Sequence, residues 1–322
     1  MSSRDTVLST VRKYLGRSVR LPSGVSWDVE LNSSGTTLAL QVSCDILSRN
    51  LQTNQAAAPF FMICFAYWYE RATSQHCSTR LELTGAPPTS GGALQHFRRS
   101  MIALEAAQEA LGERLTINGP SCVTWPTQPT FNKPLSKRSN REGDKKGSEH
   151  DLETQLCREA QIAHSFSSHF EPITTFRRQL PLGLFEGEIS KKTMWTPGGG
   201  AQADLWSTSP DGTTFHLFEL KVMGSKLVGV LPELLTYLWL VHRTRVGFNG
   251  QPPISGGGEG LTAARSAKFL KGWIMAPNVH PLIRMNGSGP LDWFNQGLAH
   301  HGITIAFSDY ALDSSGLIEW RT

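Results

Sequence analysis

The stretch that decides the fold is GGGAQADLWSTSPDGTTFHLFELKV, residues 198–222. Asp211-Gly212 is a dipeptide typical of β-hairpin turns, and it lies between two apolar, β-prone runs at residues 203–207 and 213–222. Side chains alternate along a strand, so the pattern assigns His216 to the face opposite the charged end of the second run, where we expect it in the core or next to it. The sequence therefore predicts a hairpin around which the second half of the chain is built.

This hairpin carries acidic and basic residues near its open end. Pairing the two runs brings Asp204 close to Glu219, and Lys221 shares the face of Glu219. Charged groups near a core are costly without a partner. Two carboxylates and a backbone carbonyl, here that of Leu220, suit Mg²⁺. Lys221 could orient or deprotonate a water or stabilise charge developing on phosphorus, and Gln202 could orient a phosphate or water. The alternative is a surface hairpin with an ordinary Glu–Lys pair.

The residues around the hairpin alternate between helical and strand patterns. Ser148 is the predicted N-cap of a helix that extends to about residue 169. The remaining predicted elements are a strand and loop at 173–189, a helix at 226–245, a Gly/Pro loop at 251–260, a strand at 269–276, a helix at 291–301 and a strand at 303–308. Strands alternating with helices predict an α/β fold with a mixed central sheet flanked by helices.

This order of elements, with Asp204 followed by Glu219-Leu220-Lys221, resembles the PD-(D/E)XK nuclease superfamily. The superfamily core is a helix, three strands, a helix and a further strand, and the resemblance covers roughly residues 148–310. It implies a restriction-endonuclease-like fold. It also implies that Asp204 and Glu219 hold Mg²⁺, for which Mn²⁺ would substitute, and that Lys221 lies beside the attacking water.

The first helix of the superfamily often donates a further acid from an E-x-x-L-x-x-x-L pattern. Glu149, Leu152 and Leu156 match that pattern. Glu153, one turn later, is the alternative donor. The resemblance therefore implies a third acid, and leaves open which of the two glutamates supplies it.

Some recombination-type members also carry Q-x-x-x-Y on the helix that follows the lysine strand. Tyr237 matches this pattern, whereas Glu233 departs from it. Tyr237 is therefore a candidate for a contact with substrate, and a core tyrosine is the alternative.

The N-terminal half carries no motif for chemistry. An amphipathic helix at the start is followed by a predicted hairpin, a buried strand at 59–69, a strand at 78–84 and a helix at 94–112. We predict that residues 1–125 form a smaller α+β accessory domain for recognition or dimerisation, and that the nuclease-like domain spans residues 148–322.

Residues 126–147 separate these two domains in the sequence. The segment has few apolar residues, and its six lysines and arginines outnumber one glutamate and one aspartate. Such a composition predicts a flexible basic linker. A basic tether can add sequence-independent affinity for DNA.

The net charge and the cysteine content limit the classes of protein to which this chain can belong. The net charge of +4 over 322 residues is mild, and the five cysteines are odd in number with no C-x-x-C pair. This pattern disfavours a disulfide framework or a zinc site and fits a reducing cytoplasm. The longest apolar run, residues 56–69, is too short to span a bilayer, so no membrane partner is expected.

From these observations we expect a metal-dependent nuclease that hydrolyses phosphodiester bonds. DNA is the expected substrate, and an endonuclease of a restriction, phage-defence or repair system is the expected setting, by analogy with the superfamily. RNA stays open as a substrate, as does association into a homo-oligomer or with a partner subunit. The alternative function is a nuclease-like nucleic-acid-binding or assembly subunit that has lost turnover.

Overall fold

The computed structural model describes residues 2–33, 35–51, 53–120, 124–132, 148–197, 201–222, 228–251, 258–285, 287, 289–314 and 316–321. Its helices are α1 Ser3–Leu15, α2 Cys44–Leu47, α3 Ala58–Thr73, α4 Gly91–Leu111, α5 Glu149–Arg158, α6 Ala160–His169, α7 Val230–Val246, α8 Gly258–Ser266 and α9 Leu291–Leu298. Its strands are β1 Ser26–Asn32, β2 Gly35–Ser43, β3 Cys77–Thr84, β4 Leu115–Asn118, β5 Pro129–Phe131, β6 Arg177–Pro181, β7 Leu184–Glu186, β8 Gln202–Thr208, β9 Thr214–Leu220, β10 Phe269–Ala276, β11 Ile303–Leu312 and β12 Ile318–Arg321.

The protein has a mixed α/β architecture and divides into two compact units. Unit 1 contains Met1–Thr124, Lys226–Thr236 and Val279–Ala299, and unit 2 contains Trp125–Ser225, Tyr237–Asn278 and His300–Thr322. The predicted boundary at residue 125 lies within one residue of the first division between the units. Unit 1 is nevertheless discontinuous, because two later segments of the chain complete it.

Unit 1 is built on a sheet in the order β1-β2-β3-β4. The predicted hairpin is present as an antiparallel β1–β2 pair, and β2, β3 and β4 run parallel. Strand β3 alternates buried and half-buried residues, as expected for a sheet with one face in the core. Helices α3 and α4 pack on these strands, and α4 also packs along α9.

The predicted strand at 59–69 is wrong, because these residues form helix α3. Every residue of this helix from Ala58 to Tyr69 is buried, so its apolar residues show no stripe. Periodicity alone cannot distinguish a fully buried helix from a buried strand. The length of the run and Pro59 in its first turn are the signals that favour a helix.

Helices α4 and α9 approach closely at one glycine. A Cβ atom placed on Gly297 of α9 would lie only 1.7 Å from the carbonyl oxygen of Ala110 on α4. Any side chain at residue 297 would therefore push the two helices apart. The absence of a side chain at Gly297 is what allows this part of unit 1 to close.

Unit 2 contains a larger mixed sheet in the order β12-β11-β10-β9-β8-β6. Strands β6, β8 and β9 are successively antiparallel, β9, β10 and β11 are parallel, and β12 pairs antiparallel with β11. The second sheet is a short antiparallel pair of β5 and β7. The predicted strand at 269–276 is confirmed with the same bounds.

The core of unit 2 lies between the large sheet and helices α5 and α6. Phe166 of α6 is fully buried at its centre. Its ring makes edge-on contacts with four other rings at centroid distances of 5.1–5.5 Å, those of Phe176, Phe218, Trp273 and Trp320. Edge-to-face packing of this kind holds the two helices against the strands.

Three features of unit 2 differ from the sequence-based prediction. The helix expected over 148–169 is two helices, because Glu159 adopts an extended conformation with φ −102° and ψ 96°. Residues 258–266, expected in part as loop, form α8. Residues 129–131 of the predicted linker form β5, with Phe131 buried. The six basic residues of that segment, 133–146, lie outside the described residues.

Candidate active site

The predicted hairpin is present and places its acidic residues side by side. Strands β8 and β9 pair in a register that opposes Leu205 to Phe218, and continuing it by one residue opposes Asp204 to Glu219. The turn forms at the predicted dipeptide, where Gly212 has φ +71°. The Asp211 carboxylate accepts hydrogen bonds from Ser209 Oγ and from the Thr213 amide. Local sequence thus fixes the register that brings the two carboxylates together.

At the end of strand β9, two consecutive backbone amides donate in opposite directions, to residues on different strands. The Leu220 amide donates to Asp204 Oδ2 at 2.7 Å. The next amide, that of Lys221, donates in the opposite direction to the Met275 carbonyl at 2.8 Å. Because a trans peptide holds its N–H and C=O antiparallel, the Leu220 carbonyl points away from Met275 and towards the side of the sheet where Asp204 lies. The backbone therefore turns one carbonyl oxygen to the side of the acids.

The ammonium group of Lys221 lies between two carboxylates. Its Nζ is 2.7 Å from Glu219 Oε1 and 3.3 Å from Glu149 Oε1. The Glu219 side chain is only 3% exposed, whereas that of Glu149 is 41% exposed. Ser148 caps α5 by accepting from the Asp151 amide, and this places Glu149 in the first helical turn. One lysine therefore joins the end of β9 to the start of α5.

Glu153, the other candidate for the helical acid, has a different partner. Arg178 on β6 donates to Glu153 Oε2 through Nε at 3.1 Å and Nη2 at 2.8 Å. Burial raises the pKa of Glu153, and the hydrogen bonds from Arg178 oppose that shift. Arg178 also contacts His150 Nδ1 at 2.7 Å. Of the two glutamates, Glu149 is the one that contacts Lys221, and Glu153 belongs to an ion pair beside it.

The carboxyl group of Asp204 is the most strongly perturbed acid of this group. Although part of the residue reaches solvent, burial of its carboxyl raises its pKa to about 8. The Lys221 ammonium opposes this shift, and Glu149 and Glu153 add to it. A proton therefore stays on Asp204 at neutral pH until a further cation approaches.

The side chains around Lys221 carry the type of donor atom that an oxygen-ligated divalent cation prefers. Ionised Asp204, Glu219 and Glu149 carry three negative charges, and Lys221 balances one of them. Carboxylate and carbonyl oxygens are the ligands that Mg²⁺ and Mn²⁺ take, and two uncompensated charges match a divalent ion. Binding such an ion at Glu219 would require the Lys221 ammonium to give way.

The two candidates for substrate contacts differ in their surroundings. Gln202 is half-buried on β8, two residues before Asp204, so that the two side chains share a face. Tyr237 is buried in α7, with 4% of its surface exposed. This burial favours the core alternative for Tyr237 over a contact with nucleic acid. Glu233, which replaces the glutamine of the superfamily pattern, forms a buried ion pair with Arg99 at 2.7 Å.

Sequence reasoning missed two residues that contact the site. Arg178 holds Glu153, and the Tyr310 hydroxyl donates to the Lys221 carbonyl at 2.8 Å. Neither residue belongs to a local motif, and Tyr310 lies 89 positions from its partner. Only the pairing of β6 with β8 and of β10 with β11 brings them near the hairpin.

Comparisons of the chain with protein-family models, with curated proteins and with solved structures returned no significant match. In the part of the chain that the structure describes, each helix is too short or too polar to cross a bilayer. The geometry of the residues around Lys221 is therefore the feature of this protein that indicates a function.

Proposed function

We propose that unit 2 is a Mg²⁺-dependent nuclease that hydrolyses phosphodiester bonds in DNA. The observation that carries this proposal is the pair of contacts of Lys221 Nζ with Glu219 and Glu149, beside Asp204 on the adjacent strand. Helix α5, strand β8, strand β9 and the residue that follows β9 supply these four groups. A chance Glu–Lys pair on a surface hairpin would not bury the lysine or recruit an acid from a distant helix.

The order of elements along residues 149–276 supports a restriction-endonuclease-like fold of the PD-(D/E)XK type. Helices α5 and α6 precede the antiparallel strands β6, β8 and β9, and α7 and α8 precede the parallel strand β10. This order is compatible with the helix, three strands, helix and strand that the resemblance implied, with β7 inserted between β6 and β8 and with two helices at each helical position. The acid-bearing strands are the second and third of the three, and the acid-bearing helix is the first.

The residues divide into metal-holding and water-activating groups. Asp204, Glu219 and the Leu220 carbonyl would hold Mg²⁺, with Glu149 as a third acid. A bound Mg²⁺ supplies a Lewis acid for the phosphoryl oxygen and lowers the pKa of a bound water. Lys221 lies within reach of both glutamates, where its ammonium can orient that water and stabilise charge that develops on the phosphate.

Because the pKa of Asp204 is raised, the binding of metal at this carboxyl should release a proton. A cation beside a protonated carboxyl favours loss of its proton, so Mg²⁺ affinity should rise between about pH 6 and pH 8. Activity that increases with pH over this range would follow from the same group.

Unit 1 and the basic segment are proposed to serve substrate engagement. Unit 1 would act in recognition or dimerisation, and the lysines and arginines of residues 133–146 would add phosphate contacts. The setting that we propose is a cytoplasmic restriction, phage-defence or repair system, with RNA kept as a substrate to be tested.

The test is incubation of the full chain with plasmid, linear double-stranded and single-stranded DNA and with RNA, in Mg²⁺, Mn²⁺ or EDTA. We expect cleavage of DNA that requires metal and is lost in Asp204→Ala and Lys221→Ala. Lys271→Ala is the matched control, because Lys271 lies in the same sheet and is largely buried, but it pairs with Glu171. Absence of metal-dependent cleavage of every substrate, or cleavage by Lys221→Ala at the wild-type rate, would contradict the proposal.

One observation favours the alternative of an inert nucleic-acid-binding or assembly subunit. Lys221 already compensates Glu219 and Glu149 in part, and a buried ion-paired cluster can serve structure alone. Calorimetry separates the two functions. Heat of Mn²⁺ binding that disappears in Asp204→Ala supports the nuclease, and absence of any Mg²⁺ or Mn²⁺ heat supports the inert subunit.

A further inference from the structure

Tyr310 extends from the core of unit 2 to the backbone of the candidate site. The residue lies on β11 and is completely buried, and its hydroxyl donates to the Lys221 carbonyl oxygen at 2.8 Å. Its ring packs in the hydrophobic core with that of Trp320, at a centroid distance of 6.5 Å. The hydroxyl is therefore the polar end of an otherwise apolar residue, and it is directed at one peptide of the site.

The hydrogen bond from Tyr310 completes the anchoring of Lys221. The ladder of β9 with β10 pairs residues up to Leu220, so Lys221 lies one residue beyond the strand. Its amide still donates to the Met275 carbonyl, and its carbonyl accepts from Tyr310. Both backbone groups of Lys221 are thus held from the same side, by β10 and β11.

This anchoring determines what faces the acids. With the Lys221 amide fixed on Met275, the Leu220 carbonyl is turned to the side of Asp204, and the Lys221 side chain starts from a fixed Cα. An ammonium on a flexible four-carbon stem can keep contact with two carboxylates only if its stem is anchored, because free rotation would disperse it.

We propose that Tyr310 is a positioning residue for the active site, which sets the Leu220 carbonyl and the Lys221 ammonium through its hydrogen bond to the Lys221 carbonyl. The proposal rests on the proposed nuclease function. Tyr310 does not act on substrate itself, because its hydroxyl is buried and donates to the backbone. Burial raises the pKa of Tyr310, and the nearby Glu149 carboxylate raises it further, so the hydroxyl keeps its proton.

The variant that tests this role is Tyr310→Phe, which keeps the ring and removes the donor. A net loss of one hydrogen bond of about 1 kcal/mol corresponds to a change of roughly 5- to 10-fold. We therefore expect the amides of residues 220–222 to exchange with deuterium roughly 5- to 10-fold faster than in the wild type. We expect kcat for DNA cleavage to fall by the same factor of roughly 5- to 10-fold, with KM for DNA unchanged.

Two further proteins separate positioning from loss of packing or stability. Tyr67→Phe removes a hydroxyl that donates to Asp292 in unit 1, and it should leave kcat and exchange at residues 220–222 unchanged. 4-Aminophenylalanine at position 310 restores an N–H donor at the end of the ring, and it should restore most of kcat.

The outcomes distinguish this proposal from the nuclease proposal. If the wild type cleaves no nucleic acid, the nuclease proposal fails, while hydrogen exchange still reports whether Tyr310 anchors Lys221. Exchange and kcat of Tyr310→Phe at wild-type values would overturn the positioning role. Global unfolding of Tyr310→Phe, or a uniform rise in exchange across unit 2, would also overturn it, because Tyr310 would then serve the core as a whole.

Discussion

Replacing Asp204 with asparagine should change how the stability of the protein depends on pH. Asparagine keeps an oxygen that can accept from the Leu220 amide, at the position where Asp204 Oδ2 accepts at 2.7 Å. It removes the ionisable group whose pKa burial raises to about 8, from the 3.8 that is usual for an aspartate. The variant therefore isolates the cost of the charge from the loss of the hydrogen bond.

The sign follows from the protons bound in each state. Between about pH 4 and pH 8, folded Asp204 holds a proton that the unfolded chain releases, so the free energy of unfolding falls as pH rises across this window. Each pKa unit corresponds to about 1.4 kcal/mol, so the rise from 3.8 to about 8 limits this change in the free energy of unfolding to about 6 kcal/mol. Because Asp204 keeps some contact with solvent, we expect the change in the free energy of unfolding to be smaller, about 2 kcal/mol.

The measurement is urea unfolding in EDTA at pH 5, 6.5 and 8, followed by tryptophan fluorescence. The free energy of unfolding of the wild type should fall by about 2 kcal/mol relative to that of Asp204→Asn between pH 5 and pH 8. Asp211→Asn is the matched control, because hydrogen bonds from Ser209 and Thr213 lower the pKa of exposed Asp211. Asp211 is therefore ionised in both the folded and the unfolded state from pH 5 to pH 8, and its replacement should leave the pH dependence of the wild type unchanged. Equal pH dependence of the wild type and Asp204→Asn would refute the reasoning.

Five other changes test separate parts of the protein. Lys221→Ala leaves Glu219 and Glu149 without their ammonium, so calorimetric Mn²⁺ affinity should hold or rise, while cleavage falls by about two orders of magnitude. Glu149→Gln should reduce cleavage with little effect on the urea midpoint. Glu153→Gln should lower that midpoint by weakening the contact with Arg178. Normal cleavage by Glu149→Gln and none by Glu153→Gln would show that Glu153 is the helical acid of the site. Phe166→Ala should cost about 3–5 kcal/mol in calorimetric unfolding, and a loss below 1 kcal/mol would contradict its central place in the core. Neutralising the six basic residues of 133–146 should flatten the slope of log affinity for DNA against log salt, and an unchanged slope would make the segment only a spacer.

The hairpin of the site was predictable because its signals are local. Asp211-Gly212 supplies the left-handed turn conformation, and the alternation on either side fixes which residues share a face. From these two facts follow the opposition of Asp204 to Glu219 and the burial of His216, whose Nδ1 accepts from Trp273 at 3.1 Å. A local signal can be read from one stretch of sequence without knowledge of the rest of the chain.

Features that depend on tertiary packing were not predictable in this way. Helix α3 gives no amphipathic pattern because it is buried on all sides. No local sequence motif identifies Tyr310, since its contact with Lys221 depends on which strand lies beside β10. The choice between Glu149 and Glu153 likewise depends on where Lys221 and Arg178 extend, which helix periodicity does not encode.

The close approach of α4 and α9 at Gly297 has a consequence for how the protein is made. Helix α9 begins roughly 180 residues after α4 ends, so the ribosome must add all of these residues before the two surfaces can meet. At roughly 5–20 residues per second, the wait is roughly 10 to 40 s. During that interval the nascent N-terminal segment has an apolar helix surface with no α9 to cover it, and such a surface is one that chaperones bind.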